Sequence, residues 1–287
     1  MTGTVPERVH DALAESFTLT DELEGADGIL SLLTTQVDGE LLDRAGSQLR
    51  VVANYGVGVD NVDLDAARSR NVVVANTPDV LTDAVAELTI ALTLALLRRI
   101  VEGDRFLRRR ARWEFSLEFM LGETLRGKTF GVVGPGRIGR AAAALAEGLG
   151  ARAIFAGRGD GLDALLATAD VVSLHVPLNP ETRHLIGAGA LRRMRPSAVL
   201  VNTSRGQIVD EDALVAALRE GTIAGAALDV YEHEPEVREE LLAFENVVLT
   251  PHIGSATRET REAMGLLAVD ALRAVLLEGR RPENAVG

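Results

Sequence analysis

The chain has 287 residues, enough for about two domains that each bury a core of their own. Apolar residues make up 47% and charged residues 25%, a composition typical of a folded, soluble protein and unlike that of disordered or collagen-like chains. The formal net charge of −12 opposes association with phosphate backbones and anionic membranes. We therefore expect neither nucleic-acid nor membrane partners.

Two absences narrow the chemistry and the location. The chain contains no cysteine, which removes disulfides, thiolate nucleophiles, zinc–thiolate sites and iron–sulfur clusters, and we expect no metal. The N-terminal sequence lacks the basic start and apolar core of a signal peptide, and the longest apolar stretch, around residues 90–97, is far too short for a membrane span. We therefore predict a cytoplasmic protein.

The first 75 residues predict a small α/β unit. Short apolar runs predict strands at residues 28–33, 51–54 and 72–75, and helices are predicted at residues 6–14 and 63–69. Apolar runs separated by helical stretches are typical of buried parallel strands.

The next segment predicts a long helix followed by a surface segment. After the break at Pro78, Val85, Leu88, Leu92 and Leu96 are spaced to form one apolar stripe of a helix that connects two domains. An arginine-dense stretch follows, with Arg105, Arg108, Arg109, Arg110 and Arg112, and then aromatic-rich residues 113–120. We interpret this region as a solvated basic face beside a packing or dimer-contact segment, with an anion site as the alternative.

From Thr129 onward, strands alternate with helices. Further strands are predicted at residues 152–156, 171–174, 198–202, 224–228 and 247–250. This order predicts an α/β fold with a doubly wound parallel sheet of the Rossmann type. The last predicted helix, at about residues 257–278, is expected to return to the first unit. We thus predict a dinucleotide-binding domain at residues 77–255 and a discontinuous second domain at residues 1–76 plus 256–287.

A G-x-G-x-x-G motif follows the first strand of the larger domain. It consists of Gly134, Pro135, Gly136, Arg137, Ile138 and Gly139. Gly134 can make the tight turn, Gly136 can admit a pyrophosphate, and Gly139 lets helix and strand pack closely. The amides at the helix N-terminus then face the anion. A glycine-rich turn without a ligand is the alternative.

The end of the second strand bears on the choice of cofactor. An NAD-preferring site usually has Asp or Glu about 20 residues after the first glycine. This chain has Gly157 and Arg158 there, which leave room for a 2′-phosphate and supply a guanidinium to bind it. We predict NADP rather than NAD. The alternative is that Arg158 is a surface cation and that Asp160 takes the acidic role from a shifted position.

Reactive residue types occur in three segments that follow predicted strands, at residues 202–206, 229–235 and 250–255. Ligands of open α/β sheets bind beyond the carboxyl ends of the strands. We therefore expect the three segments to converge on one crevice beside a nicotinamide.

An ordered set of motifs covers the chain from about residue 5 to its end. These are VVANYGVGVDNVDLDAA, NTPDVLTDAVAEL, GVVGPGRIGR, VPLNPETRHLI, VNTSRGQIVDEDALVAAL, ALDVYEHEP and NVVLTPHIGSAT. The set resembles the D-isomer-specific 2-hydroxyacid dehydrogenase family, and within it the glyoxylate/hydroxypyruvate reductases. The resemblance implies hydride transfer between NAD(P) and a small 2-oxo or D-2-hydroxy acid. It also implies a smaller, flavodoxin-like α/β substrate domain.

The resemblance further implies that Arg205, Glu234 and His252 are the catalytic residues. Arg205 would bind the substrate carboxylate and carbonyl oxygen, and His252 would be the general acid. Glu234 would orient the imidazole and favour its protonated form. By proximity alone Glu232 rivals Glu234, Arg205 could be a loop-stabilising cation, and the His252 loop could be merely structural.

By the same resemblance, the amides of Val57 and Gly58 would bind the substrate carboxylate; a tight turn after a strand is the alternative. Asp229 would face the nicotinamide carboxamide, or else it caps the following turn. The remaining residues implied to bind the cofactor are Thr82, beside Leu81, then His175, Pro177, Thr182, Thr203 and Gly254.

The chain departs from the family pattern in two places. Only residues 1–4 precede the first matching segment, so we expect the small domain to lack an edge strand. The region between Arg158 and Asp170 is shorter than is usual in the family, which would trim the structure near the adenosine.

Two other functions stay open beside reduction of glyoxylate or hydroxypyruvate by a homodimer that assembles through the segment after Leu97. The same catalytic residues could act on phosphoglycerate or phosphite, provided that the arginines of residues 105–112 face the cleft. A non-enzymatic, corepressor-like sensor of NAD(P)H is the other alternative, although the complete catalytic set favours turnover.

Overall fold

Strands and helices alternate along the chain in the computed structural model, which describes residues 4–157 and 161–287. The chain divides into two units, Met1–Thr82 with Ser255–Gly287, and Asp83–Gly254. Among the described residues, no helix is long and apolar enough to cross a lipid bilayer.

Three parallel strands form the centre of the first unit. Its elements up to Ala75 are α1 (Glu7–Ala14), β1 (Gly28–Leu32), α2 (Gly39–Ala45), β2 (Val51–Tyr55), α3 (Leu64–Ser69) and β3 (Val73–Ala75). All five residues of β2 are buried, as expected for a strand between two parallel neighbours. Asp38 and Asp63 cap α2 and α3, where their carboxylates accept backbone N–H groups of the first turn. α2 was not predicted, because seven residues carry little periodic signal.

Two helices follow, and the first of them begins at Thr82, where the chain passes from the first unit to the second. They are α4 (Thr82–Leu97) and α5 (Ile100–Arg108). The predicted single stripe of α4 is too narrow, because Ala84, Ala86, Thr89, Ile90 and Thr93 are buried as well. The hydroxyls of Thr89 and Thr93 donate to carbonyls four residues earlier, which satisfies both polar groups within the core.

A six-stranded parallel sheet follows. Its elements are β4 (Thr129–Val133), α6 (Arg137–Gly148), β5 (Arg152–Ala156), α7 (Leu162–Thr168), β6 (Val171–Leu174), α8 (Ala188–Arg193), β7 (Val199–Asn202), α9 (Glu211–Glu220), β8 (Gly225–Leu228), α10 (Glu239–Ala243) and β9 (Val247–Leu249). The strand order is β5-β4-β6-β7-β8-β9. This confirms the predicted doubly wound α/β fold class.

Side chains of the sheet alternate between two apolar layers. Phe130 and Val132 of β4 pack with α4 and α6 on one face. Leu174 and Leu200 pack with α7, α8 and α9 on the other face. Because both faces are covered by helices, the strands read as continuous apolar runs in the sequence.

The chain ends within the first unit. α11 (Arg258–Leu276) packs on α1 and β2, and β10 (Ala285–Val286) pairs antiparallel with β3. The sheet order of the first unit is β1-β2-β3-β10. β10 was not predicted, because two residues give no alternation to detect. The missing edge strand stays a prediction.

Candidate active site

The glycine-rich turn lies between β4 and α6. Gly134 has a left-handed backbone with φ of +94°, and a Cβ there would come within 2.6 Å of the His175 carbonyl oxygen. A Cβ on Gly139 would meet the Gly134 carbonyl oxygen, whereas a Cβ on Gly136 would have no heavy atom of the described residues within 4 Å. The turn is therefore closed toward the protein and open above Gly136, next to the first amides of α6. This cradle fits the pyrophosphate of a dinucleotide.

The turn also lies at the point in the sheet where the order of the strands reverses direction. β4 pairs with β5 on one side and with β6 on the other, so the loops after β4 and β6 flank a topological switch point. Such points bind ligands in open α/β sheets. His175 and Pro177 follow β6, while Arg137 and Ile138 are the first residues of α6.

His175 supports this turn with a neutral ring. Its Nε2 lies 2.8 Å from Ser173 Oγ, and burial lowers the pKa of His175 to about 4. Its backbone N–H donates to the Val133 carbonyl at 2.8 Å, which joins β6 to the end of β4. His175 therefore packs the turn from below without adding a positive charge at pH 7.

The loop after β6 is held by its own side chains. The Thr182 hydroxyl donates to the Pro177 carbonyl at 2.6 Å, and the Asn179 N–H donates to the Thr182 hydroxyl at 2.9 Å. Thr203 is on the loop after β7, and its hydroxyl lies 2.9 Å from that of Thr89. These contacts give both threonines a role in fixing loops, and their contact with a cofactor stays a prediction.

The residues predicted to choose between NADP and NAD are only partly covered. Among the described residues, a Cβ on Gly157 would come near Pro135 alone, at 4.0 Å. Arg158 and Asp160 lie outside the described residues.

The predicted general acid and its carboxylate partner are in direct contact. His252 Nδ1 lies 2.7 Å from Glu234 Oε2, and each side chain is about one-third exposed, at 34% and 33%. The Tyr231 N–H donates to Glu234 Oε1 at 3.0 Å, so both carboxylate oxygens are engaged. The backbone of Tyr231 thus helps to orient the pair, which remains partly accessible to solvent.

The environment favours an ionised Glu234. Burial opposes ionisation, but hydrogen bonds from His252 and from the Tyr231 N–H outweigh it and hold the pKa of Glu234 below its ordinary value. The positive charge of Arg205 acts in the same direction. Arg205 and Glu234 therefore lie within electrostatic reach of each other.

Asp229 shapes the loop that carries His252. One oxygen of its carboxylate accepts from the Thr250 hydroxyl at 2.6 Å and from the Ile253 N–H at 2.8 Å, and the other accepts from the Gly254 N–H at 2.8 Å. Burial raises the pKa of Asp229 despite these donors. His252 itself has a φ of +52°, so the loop holds it in a left-handed conformation. These hydrogen bonds hold the loop of residues 250–254 and not the turn that directly follows Asp229. The contact with a carboxamide and the cap on the following turn both stay predictions.

The loop after β7 places Arg205. Asn202 Nδ2 donates to the Arg205 carbonyl at 2.8 Å, and the Ser204 N–H donates to Asn202 Oδ1 at 3.1 Å. A Cβ on Gly206 would fall on the backbone of Tyr231 and Glu232, well inside the 3.0 Å that real Cβ atoms keep. The Arg205 loop and the segment that carries Glu234 are therefore packed backbone to backbone.

The structure separates the two glutamates between which proximity alone could not decide. Glu232 Oε1 lies 2.6 Å from His184 Nε2, whereas Glu234 contacts His252. Glu234 is therefore the partner of the predicted general acid. The contact with His184 was missed, because a separation of 48 residues leaves no local sequence signal.

Val57, Gly58 and Thr82 belong to the first unit. The carbonyls of Val57 and Gly58 accept from Asn76 Nδ2 and Asn54 Nδ2, both at 2.8 Å, which fixes this loop after β2. Thr82 is the first residue of α4, and its N–H donates to the Asp79 carbonyl at 2.9 Å. Leu81 beside it is buried.

The arginine-dense stretch forms exposed ion pairs. Arg108 lies 2.8 Å from Asp104, and Arg109 lies 3.6 Å from Glu245. These contacts agree with a solvated basic face. Within residues 4–157 and 161–287, no group of three or more His, Asp or Glu side chains is arranged to hold a metal ion.

Comparisons with known proteins identify the family. The sequence model described as "D-isomer specific 2-hydroxyacid dehydrogenase, NAD binding domain" matches residues 90–254. A glyoxylate reductase from Thermococcus litoralis is 47% identical, over 93% of this chain and 86% of its own length. Another from Korarchaeum cryptofilum is 42% identical, over 100% of this chain and 94% of its own length.

Solved structures give the same result. The TT0316 protein from Thermus thermophilus superposes with a TM-score of 0.92 and 45% identity, covering 99% of this chain and 98% of that one. An NADPH-dependent glyoxylate/hydroxypyruvate reductase from Sinorhizobium meliloti, in complex with NADP and malonate, superposes with a TM-score of 0.84 and 37% identity, covering 99% and 95%. The predicted family, fold and NAD(P)-dependent oxidoreductase class are thus confirmed. The chain belongs to the D-isomer-specific 2-hydroxyacid dehydrogenase family.

Proposed function

We propose that the protein reduces glyoxylate, hydroxypyruvate or a similar small 2-oxo acid to the corresponding 2-hydroxy acid, with NADPH as the cofactor. The observation that carries this proposal is the 2.7 Å contact between Glu234 and His252, in the same unit as the glycine-rich cradle. The names of the relatives, several of which are glyoxylate reductases, support the choice of substrate.

The bound cofactor supplies the hydride that adds to the carbonyl carbon of the substrate. His252 donates the balancing proton to the carbonyl oxygen from Nε2, because Nδ1 is held by Glu234. The ionised Glu234 stabilises the imidazolium before transfer, and the one-third exposure of His252 lets water restore the proton afterwards.

Arg205 completes the chemistry. Its guanidinium stays charged and can hold the substrate carboxylate and stabilise negative charge on the reacting oxygen. In this proposal the amides of Val57 and Gly58 also bind the substrate carboxylate. Residues 1–76 and 256–287 then form the substrate domain, and residues 77–255 the dinucleotide-binding domain.

The proposed cofactor contacts follow the family pattern. The cradle of α6 holds the pyrophosphate, and Gly157 and Arg158 accommodate the 2′-phosphate of NADP. The residues assigned to the cofactor are Thr82, Gly134, Gly136, Arg137, Ile138, Gly139, Gly157, Arg158, His175, Pro177, Thr182, Thr203, Asp229 and Gly254. The solved relative from Sinorhizobium meliloti, which is named NADPH-dependent and contains NADP, supports this choice over NAD.

The proposal includes a cytoplasmic homodimer. Phe115 and Leu117 are 83% and 84% exposed, and Trp113, Leu107 and Leu121 are exposed beside them in sequence. A cluster of exposed large apolar side chains is typical of a contact surface. Light scattering during gel filtration should give the mass of a dimer, and Phe115→Asp combined with Leu117→Asp should give that of a monomer. A monomeric wild-type protein would refute this part.

A substrate panel tests the proposed reaction. Purified protein is assayed with NADPH or NADH against glyoxylate, hydroxypyruvate and pyruvate, and with NADP or NAD against 3-phosphoglycerate and phosphite. We expect the highest kcat/KM for glyoxylate or hydroxypyruvate with NADPH. Preference for 3-phosphoglycerate or phosphite would refute the proposed substrate. Tight dinucleotide binding without turnover on any substrate would refute the proposed enzymatic activity and favour a sensor.

A further inference from the structure

Glu232, two residues before the catalytic glutamate, forms a second carboxylate–histidine pair. Glu232 Oε1 is 2.6 Å from His184 Nε2, and the Glu232 side chain is only 14% exposed while that of His184 is 41% exposed. Within the segment from Tyr231 to Glu234, the Glu232 carboxylate thus contacts His184 and the Glu234 carboxylate contacts His252.

The backbone of Glu232 is fixed as firmly as its side chain. Its N–H donates to Glu211 Oε1 at 2.8 Å, and its carbonyl accepts from Gln207 Nε2 at 3.0 Å. The His184 N–H in turn donates to the Gln207 carbonyl at 2.8 Å. Three segments that are distant in sequence, around His184, Gln207–Glu211 and Glu232, therefore form one hydrogen-bonded cluster.

The cluster contains an unusually buried carboxyl group. Glu211, in the first turn of α9, is 3% exposed. Burial raises the pKa of Glu211 above its ordinary value, and the nearby Glu232 carboxylate acts in the same direction. The hydrogen bond from the Glu232 N–H and the charges of Arg238 and His233 oppose this rise without cancelling it. An apolar residue at this place would avoid the cost of burying a carboxyl group. What the carboxyl group provides here is an acceptor for the Glu232 N–H.

Contacts connect this cluster to the catalytic residues. The Tyr231 N–H, next to Glu232, donates to Glu234 Oε1, and the Tyr231 hydroxyl donates to the Thr250 carbonyl at 2.9 Å, at the start of the His252 loop. Gly206, next to Arg205, packs against the backbone of Tyr231 and Glu232. A shift of Glu232 therefore moves groups that orient Glu234, His252 and Arg205.

We propose that Glu232, held by His184, Gln207 and Glu211, is a positioning residue that sets Glu234 against His252. It does not touch the reacting atoms. This inference rests on the proposed roles of Glu234 and His252, and it assigns a role to the glutamate that sequence reasoning treated as a rival.

Two variants of Glu232 test the proposal, with NADPH and the best substrate of the panel. Glu232→Ala removes the link to His184, and we expect kcat to fall about 10- to 100-fold, because misplacement of about 1 Å is enough for such a loss. Dinucleotide affinity should stay within about twofold, since the cradle of α6 is untouched. Glu232→Gln keeps an oxygen that can accept from His184, and we expect it to restore most of kcat.

The comparison of kcat with dinucleotide affinity separates positioning from general support of the fold. A general loss of folded protein lowers kcat and dinucleotide binding together, whereas displacement of Glu234 lowers kcat alone. The exposed control Glu239→Ala should keep the wild-type kcat and dinucleotide affinity.

His184→Gln is a second test in case Glu232→Ala does not fold. It weakens the same contact by changing the exposed partner, His184, and leaves Glu232 in place. It should lower kcat as Glu232→Ala does, by a smaller amount. If the wild-type protein is active and both Glu232→Ala and His184→Gln keep the wild-type kcat, the inference is overturned. It is also overturned if the fall in kcat is matched by an equal loss of dinucleotide affinity, or if Glu232→Gln loses as much kcat as Glu232→Ala. A wild-type protein inactive on the whole panel would instead overturn the proposed function.

Discussion

The packing of Gly206 against the Tyr231–Glu232 backbone predicts a severe effect of a single methyl group. In Gly206→Ala the new Cβ would overlap the carbonyl group of Tyr231 and the nitrogen of Glu232, well inside the 3.0 Å limit for real Cβ contacts. The obstructing atoms belong to the backbone, so no side-chain rotation can relieve the overlap. The two loops must therefore move apart.

The magnitude follows from that displacement. Overpacking of this kind costs about 1–3 kcal/mol of unfolding free energy. A separation of roughly 1 Å between the loops of Arg205 and Glu234 should reduce kcat about 100-fold. Dinucleotide affinity should change little, because Gly206 is not part of the α6 cradle.

Steady-state NADPH oxidation, calorimetric titration with NADPH and urea unfolding measure these three quantities. Gly148→Ala is the matched control. A Cβ there meets no heavy atom of the described residues within 4 Å, and alanine favours a helix over glycine, so activity and stability should be retained. A Gly206→Ala enzyme with kcat within about threefold of wild type would refute the packing argument.

Three further predictions follow from other parts of the site. Arg205→Ala should raise KM for the 2-oxo acid and lower kcat, because one guanidinium anchors the substrate and stabilises charge; a wild-type KM would contradict the anchoring role. Arg158→Ala should weaken NADPH binding more than NADH binding in calorimetric titrations, and equal losses would discard the 2′-phosphate contact. Because the pKa of His175 falls from 6.5 in the unfolded chain to about 4 in the fold, the unfolded chain binds the proton first and stability is lost as pH falls below 6.5. Urea unfolding at pH 7 and pH 5 should show a loss of about 2 kcal/mol from this group, which His175→Asn should remove; an unaltered pH dependence in that variant would exclude His175 as its source.

Strands and glycine-rich turns were the most predictable features of the fold. Buried parallel strands such as β2 and β6 are short apolar runs. The G-x-G-x-x-G motif between a strand and a helix predicts a tight turn that leads into the helix. Elements of few residues, such as α2 and β10, were missed, because their signal is no stronger than chance. The burial of α4 was underestimated, since Thr89 and Thr93 look polar until their bonds to carbonyls of the preceding turn are seen.

The residue types of the site were predictable, whereas their pairing was not. Nothing in Glu232-His233-Glu234 tells which carboxylate meets which histidine, because the partners lie 48 and 18 residues away. The preference for Glu234 came from the family resemblance, and the structure supplies its physical reason. Asp229 carried two interpretations, and neither anticipated that its carboxylate accepts from three donors of residues 250–254, at least 21 residues further along the chain.

In the proposed reaction, His252, held by Glu234, donates the proton in reduction of a 2-oxo acid. The most direct measurement compares wild type and His252→Asn by loss of reduced-nicotinamide absorbance with NADPH and glyoxylate, together with NADPH affinity by calorimetry. We expect kcat of the variant to fall by roughly 10²–10⁴-fold while the affinity for NADPH is retained. Turnover of the variant at the wild-type rate would contradict the assignment of His252 as the proton donor.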